Sequence, residues 1–336
     1  MKLLAAAILI VAAFLAWALL APYQGFTAAR YVELPRGLGT AGIAQELARE
    51  GAIRYPWQFW LARLARPSAK LQAGEYRFAA AASVREVFDR IARGDIYYYK
   101  FTVPEGSNIF DIAQSLEEQA VMPAEEFLKA AGDPALILDL APRARTLEGY
   151  LFPSTYRLPH STTAAQLCKM MTDEFRREWL KLAEGRVGAA KSADPQRTVT
   201  LASLVEKETA APEERPLVAS VFTNRLAKNM RLECDPTTIY AALLDKRYRG
   251  AIHQSDLASA NPYNTYRNPG LPPGPIANPG VQALAAALEP AETSYLYFVA
   301  KPAGGAHQFS ASMKEHEKAV IAYRTANRHA TQGKGR

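Results

Sequence analysis

Leu34-Pro35-Arg36-Gly37, followed by Gly42-Ile43-Ala44-Gln45-Glu46-Leu47, returns further along the chain as Val103-Pro104-Glu105-Gly106, followed by Asp111-Ile112-Ala113-Gln114-Ser115-Leu116. In each copy an apolar strand runs into a Pro-x-Gly turn. A helix follows, whose apolar face includes Ile43 and Leu47 in the first copy and Ile112 and Leu116 in the second. A second short helix is expected in both, over Pro56–Ala65 and Pro123–Ala131. Two generic amphipathic helices could coincide by chance, but the matched turn and the shared Ile-Ala-Gln favour a strand–helix–helix unit used twice.

The first copy has the residues to close on itself. Leu71 to Phe78 alternates enough for a strand. Ser83 to Arg93 then reads as an amphipathic helix, with Val84, Val87, Phe88 and Ile91 on one stripe and Gly94 as its stop. This strand–helix–helix–strand order resembles the LysM fold, a module that holds polymers containing N-acetylglucosamine. The resemblance is one of topology, so glycan binding and simple structural spacing both remain open.

Upstream, Leu3 to Leu20 is an uninterrupted uncharged and almost wholly apolar run, preceded by Lys2. It is long enough for a spanning helix. Ala16-Trp17-Ala18 also resembles a cleavage site, but the apolar run continues through it to Leu20, which favours an uncleaved anchor over a removed signal. Lys2 would keep the short end in the cytoplasm and leave the rest of the chain outside. The body of the chain is ordinary in composition, with 49% hydrophobic and 22% charged residues, which excludes a disordered chain. A net charge of +7 favours anionic surroundings, but the basic residues are scattered, which argues against nucleic acid. The five histidines and two cysteines build no zinc pattern, and no cofactor is expected. Whether Cys168 and Cys234 pair is open.

Further along, Tyr97 to Val103 reads as a strand, and Leu147 to Tyr156 as another, dense in aromatics around Glu148. Aromatic faces with a few acids suit sugar rings, and they suit core packing equally well. A long helix over Thr163–Ala183 and a polar linker over Gly185–Gln196 lead to Thr198-Val-Thr-Leu-Ala-Ser-Leu-Val-Glu-Lys-Glu-Thr-Ala210. On a helix, Leu201, Leu204 and Val205 form an apolar stripe, and Glu208 falls at i+7 on it. Glu206 points about 200° away from Glu208, outside the interior. A carboxyl carried inward is desolvated and holds its proton more tightly, as a general acid requires. A buried glutamate that pairs with an arginine or caps a backbone group is the competing reading.

Several further segments fall in a fixed order. They are Asn224-Arg225-Leu226; Asp235-Pro236-Thr237, which reads as an N-cap with Pro at the first helical position; Tyr263-Asn264-Thr265-Tyr266; and the Gly/Pro-rich stretch Gly270–Gly280, stiff enough to wall a cleft. Together with Ala202–Thr209 they resemble the endolytic murein transglycosylases of the YceG-like (MltG) family, over about residues 30–325. The resemblance implies an inner-membrane enzyme that cleaves the MurNAc–GlcNAc bond within nascent peptidoglycan strands. The product end would be 1,6-anhydro-MurNAc, and strand elongation would stop there. It assigns catalysis to the second acid of Glu206-Lys207-Glu208. Penicillin-binding synthases of the elongation or division machinery are implied as neighbours.

The expected fold class is therefore α+β: an anchor over 1–22, a LysM-like βααβ subdomain over 30–95, and a mixed α+β catalytic domain over 97–328 containing the second repeat at 100–131. Glu208 is the expected catalytic residue. Glu148, Asn224, Asp235, Thr237, Tyr263, Asn264 and Tyr266 are the expected sugar-holding residues. A hydrolytic muramidase would instead need a second carboxylate about 5–9 Å from Glu208, with Glu148 or Asp235 available. A non-catalytic wall-binding scaffold, with Glu208 structural, is the third alternative.

Overall fold

The computed structural model describes residues 1–184, 194–302 and 306–333, and the chain is α+β, with helices dominating three two-stranded ribbons. The polar linker expected from Gly185 lies outside the described residues over 185–193. Two compact units are present, Met1–Lys100 with Tyr156–Thr162, and Phe101–Thr155 with Thr163–Arg336.

The first unit opens with α1 (Lys2–Leu20), almost wholly apolar and exposed except at Ala18, which is buried, and Leu19, which is half-buried. At about 1.5 Å per residue it is about 28 Å long, close to the thickness of a bilayer core. Next come β1 (Arg30–Leu34), α2 (Thr40–Arg49), α3 (Pro56–Ala65), β2 (Gly74–Phe78) and α4 (Val84–Arg93). β1 and β2 pair antiparallel, with Arg30 opposite Phe78 and Leu34 opposite Gly74. Val32, Leu34, Ile43, Leu47, Phe59, Tyr76, Phe88 and Ile91 form one core beneath them. Ser83 caps α4 through a reciprocal bond with Glu86, and Gly94 ends it in the left-handed conformation that glycine adopts without strain.

β3 (Tyr99–Thr102) spans the boundary in the chain, and α5 (Ile109–Glu118) and α6 (Ala124–Ala131) follow in the second unit. Its turn matches that of the first unit. Leu38 N–H donates to Pro35 O and Ser107 N–H to Pro104 O, each at 3.3 Å, with positive φ at Gly37 and Gly106. Ile43/Ala44/Leu47 and Ile112/Ala113/Leu116 are buried in equivalent places. The strand that pairs with β3 is β4 (Thr155–Leu158), far shorter than the strand expected over Leu147–Tyr156. Residues 147–153 are instead a wholly buried loop. Its Gly149 and Leu151 N–H groups both donate to Asn278 Oδ1 at 2.9 Å, so a distant side chain satisfies what a ladder would have satisfied.

The remaining elements are α7 (Ala164–Glu184), α8 (Pro195–Glu208), α9 (Arg215–Ala227), α10 (Asp235–Leu244), α11 (Gln254–Leu257), α12 (Val281–Leu288), β5 (Tyr297–Ala300), β6 (His307–Ser310) and α13 (Met313–Gly333). α8 is the central helix, packed by α9, α10 and α12 and buried on all sides from Thr198 to Val205. The Gly/Pro-rich stretch does not line the cavity that opens at Glu208. Most of Pro272–Gly280 is buried as a strap, anchored where Ile276 N–H donates to Ser203 Oγ at 3.1 Å.

Candidate active site

Asp194 starts α8 by accepting from the Gln196 and Arg197 N–H groups, with Pro195 in the first turn. The helix ends at Glu208 because Thr209 turns extended, at φ −142° and ψ 134°. Glu208 therefore sits at the tip of a rigid buried helix rather than within it, and the sequence expectation of a helix to Ala210 is two residues too long.

The tip opens into a cavity of about 270 Å³. Glu208, Arg225, Glu233, Asp235, Tyr266 and His316 supply its polar lining, and Phe222, Leu232 and Phe298 its apolar wall. Burial raises the pKa of Glu208, and the negative charge of Asp235 adds to the effect. A hydrogen bond from the Cys234 thiol and the charges of His307 and Arg225 oppose it without cancelling it. The unpaired carbonyls at the helix C-terminus act in the same direction as burial.

Around this acid the partners are fixed. Tyr266 Oη donates to Asp235 Oδ1 at 2.6 Å. Arg225 Nε donates to Leu296 O at 2.7 Å, and Nη1 donates to Arg231 O, Leu232 O and Glu233 Oε2. The His316 ring stacks on Tyr297, and burial followed by the charge of Arg225 lowers its pKa. Below the tip, Glu214 clasps His307. It accepts from the backbone N–H and pairs with Nδ1, each at 2.6 Å, and takes a third bond from Thr209 Oγ1. Burial alone would raise Glu214, but the His307 bonds outweigh it and hold the carboxyl below its ordinary value.

Three of the expected residues, Glu208, Asp235 and Tyr266, line this one cavity. The others do not reach it. Glu148 is 2% exposed, and its oxygens accept from Ile109 N–H, Tyr240 Oη and Asn278 Nδ2, each at 3.0 Å. The carboxyl is buried among these partners and does not line the Glu208 cavity. Burial raises it to about 8. Asn264, fully buried, donates to the carbonyls of Asp256, Leu257 and Ser259 and accepts from Tyr266 N–H, pinning the loop that carries Tyr266. Thr237, also fully buried, bonds to Cys234 O and Thr265 Oγ1. Asn224 Nδ2 ties α9 to the carbonyls of Thr293 and Tyr295. Tyr263 packs on Tyr240 at 5.1 Å, and burial pushes its hydroxyl up to about 12. These five lie outside the lining of the Glu208 cavity.

Two local expectations also change. Cys234, not Asp235, is the N-cap of α10, which leaves the Asp235 carboxyl free to meet Tyr266. Glu206 is not on an outer face. Its side chain is 5% exposed and meets the equally buried Arg215 at 3.0 Å, and it also accepts from Gly280 N–H at 2.9 Å. The helix is covered on every side, so an orientation away from Glu208 still leads inward. Both cysteines are free and buried. Among the described residues no group of His, Cys, Asp or Glu is arranged to hold a metal.

The model of the YceG-like family matches residues 32–322. The chain belongs to the YceG-like family. A YceG-like relative from Bacillus subtilis named endolytic murein transglycosylase is 30% identical over 308 residues, covering 87% of this chain and 84% of that protein. A Streptococcus pneumoniae protein of the same name is 28% identical over 324 residues, covering 86% of this chain and 57% of its own. The crystal structure of a yceG-like protein from Listeria monocytogenes matches with a TM-score of 0.55 at 30% identity, over 87% of this chain and 99% of that one. Sequence reasoning passed over three polar groups lining the cavity, Arg225, Glu233 and His316, and over Cys234, whose buried thiol bonds to Glu208. Arg225 stood inside the quoted Asn224-Arg225-Leu226, where only the asparagine was taken. Cys234 reads as a small apolar residue, and His316 is a lone histidine in a polar helix with no local signal.

Proposed function

We propose that this YceG-like protein is an endolytic lytic transglycosylase of peptidoglycan, with Glu208 as its single acid/base. The observation that carries the reading is the carboxyl of Glu208. Burial at the tip of a rigid helix raises its pKa, and it faces a cavity of sugar size beside the Tyr266–Asp235 pair. Protonated Glu208 gives its proton to the glycosidic oxygen as the C1–O4 bond of MurNAc breaks. The resulting carboxylate removes the proton from the same sugar's C6 hydroxyl, whose oxygen bonds to C1. The 1,6-anhydro ring closes and Glu208 is protonated again. No water is consumed, and a positioned intramolecular hydroxyl supplies much of the rate advantage.

Tyr266 and Asp235 hold the sugar and stabilise charge at C1. Arg225, bonded to three carbonyls, fixes the wall opposite. The βααβ order of the first unit is read as a LysM-like glycan-holding module, supported by topology. α1 is read as a single-pass inner-membrane anchor with Lys2 on the cytoplasmic side, supported by its length and its charge. Glycan strands are the substrate, and penicillin-binding synthases that make them are the expected neighbours.

Asp235 shares the cavity, so a hydrolytic variant of the chemistry has a second carboxylate to use. Mass spectrometry of sacculi digested by the purified protein separates the two. Anhydro ends are expected, and reducing ends would replace the lyase reading with the hydrolytic one.

A further inference from the structure

Apolar side chains on the surface of the first unit are concentrated rather than scattered. Outside α1 and Met1, the described chain exposes nine large hydrophobic residues, and four of them, Tyr55, Trp57, Trp60 and Leu64, lie within ten residues of one another. Trp57, Trp60 and Leu64 share one face of α3 at i, i+3 and i+7 spacing. The opposite face already buries Phe59 and Ala62 in the core. α3 is thus apolar on two sides, and the second meets protein through Trp57 while Trp60 and Leu64 stay exposed. A patch of this kind marks an interaction surface.

Its neighbour indicates the partner. The Trp57 ring stacks on Phe14 of α1 at 6.0 Å, and Gln58 Nε2 donates to Ala18 O at 2.9 Å. Phe14 lies six residues before the end of α1, about 9 Å along the helix axis. A helix that touches Phe14 is therefore at or below the level where a spanning α1 leaves the lipid. Tryptophan and tyrosine beside an arginine are what a membrane interface selects, because their rings are apolar at one end and polar at the other. Arg54, stacked on Tyr23 at 4.9 Å, precedes Tyr55 and faces solvent.

We propose that α3 is seated in the interfacial layer of the membrane that α1 crosses, with Trp57, Trp60 and Leu64 toward the lipid. The first unit then rests on the bilayer instead of swinging above it. This rests on the reading of α1 as an anchor, and the test keeps the two apart.

The chain has four tryptophans, at 17, 57, 60 and 179. Two full-length variants suffice. One carries W57F, W60F and W179F and reports on Trp17 alone. The other carries W17F and W179F and reports on Trp57 and Trp60. Each is reconstituted in vesicles of phosphatidylethanolamine and phosphatidylglycerol with brominated acyl chains. Loss of emission is expected from both. Quenched Trp17 with unquenched Trp57 and Trp60 would overturn the proposal while the anchor stands, and would leave a second protein copy as the patch's cover. Trp17 unquenched as well would refute the anchor and, with it, the seat.

Discussion

Glu206 and Glu208 stand two residues apart on α8, both buried, and differ in what they meet. Glu206 has the guanidinium of Arg215 and the N–H of Gly280, whereas Glu208 has a thiol, a neighbouring acid and a cavity. Removing one partner of a buried ion pair leaves the other charge uncompensated. Glu206→Gln is therefore expected to destabilise the fold by about 3 kcal/mol, read as a Tm lower by about 10 °C. Molecules still folded below that Tm should keep most of their activity. An unchanged Tm with abolished turnover would mean that Glu206 takes part in the chemistry. Glu148 makes a separate, pH-dependent prediction. Its pKa is raised from 4.5 to about 8, so between these values the folded state holds a proton that the unfolded state has released. Stability is then fully present below about 4.5 and falls as pH rises through about 8. Glu148→Gln is neutral at every pH, so its Tm should depend less on pH than the wild type's between about 5 and 8. Parallel Tm–pH curves for the two proteins would contradict the assignment of a proton to Glu148.

At the scale of elements, local pattern revealed most of what was local. The 3.6-residue stripes of α2, α4, α5 and α8 and the Gly94 stop all come from residues within a few positions of each other. What escaped depends on distant partners. Residues 147–153 look like a strand, but they are a loop because Asn278 supplies their acceptor from across the chain. The Gly/Pro-rich stretch resembles a cleft wall and is a buried strap because Ser203 and Gly149 meet it from behind. Pattern alone cannot show which side of a stiff segment is covered. Two glycines separate the costs involved. Gly37 and Gly149 both have positive φ, at 86° and 89°. A Cβ at Gly37 meets nothing within 4 Å, so Gly37→Ala should cost only the backbone strain, about 1 kcal/mol. A Cβ at Gly149 would lie 2.4 Å from Pro275 and 2.9 Å from Val199. Gly149→Ala should lower the Tm by clearly more than Gly37→Ala in side-by-side melts, and equal shifts would show that strap and loop can move apart.

For the whole molecule, the family and the α+β class were legible in the chain, because the motif spacings and the local periodicities carry them. The hydrogen-bond partners of the expected sugar-holding residues were not. Asn224, Thr237 and Asn264 have the polarity of ligands, yet their side-chain bonds lie within the protein, and composition does not distinguish a buried hydrogen bond from one offered to a substrate. Two predictions concern the molecule as a whole. Protein extracted from membranes should retain α1, and N-terminal sequencing that began near Gln24 would show a cleaved signal instead. Deleting the segment Leu34–Arg93 should weaken binding to sacculi while leaving some turnover, and undiminished binding would remove the glycan-holding role of the first unit.

The central claim is that one carboxyl performs both proton transfers, and Glu208→Gln tests it most directly because the amide keeps the shape of the side chain but cannot exchange the proton. The measurement is the rate at which 1,6-anhydro ends accumulate in purified sacculi, counted by mass spectrometry for wild-type and variant protein of matched folding. A fall of at least about 10²-fold, with the fold intact, is the predicted result. Anhydro ends forming at an undiminished rate in the variant would contradict the account.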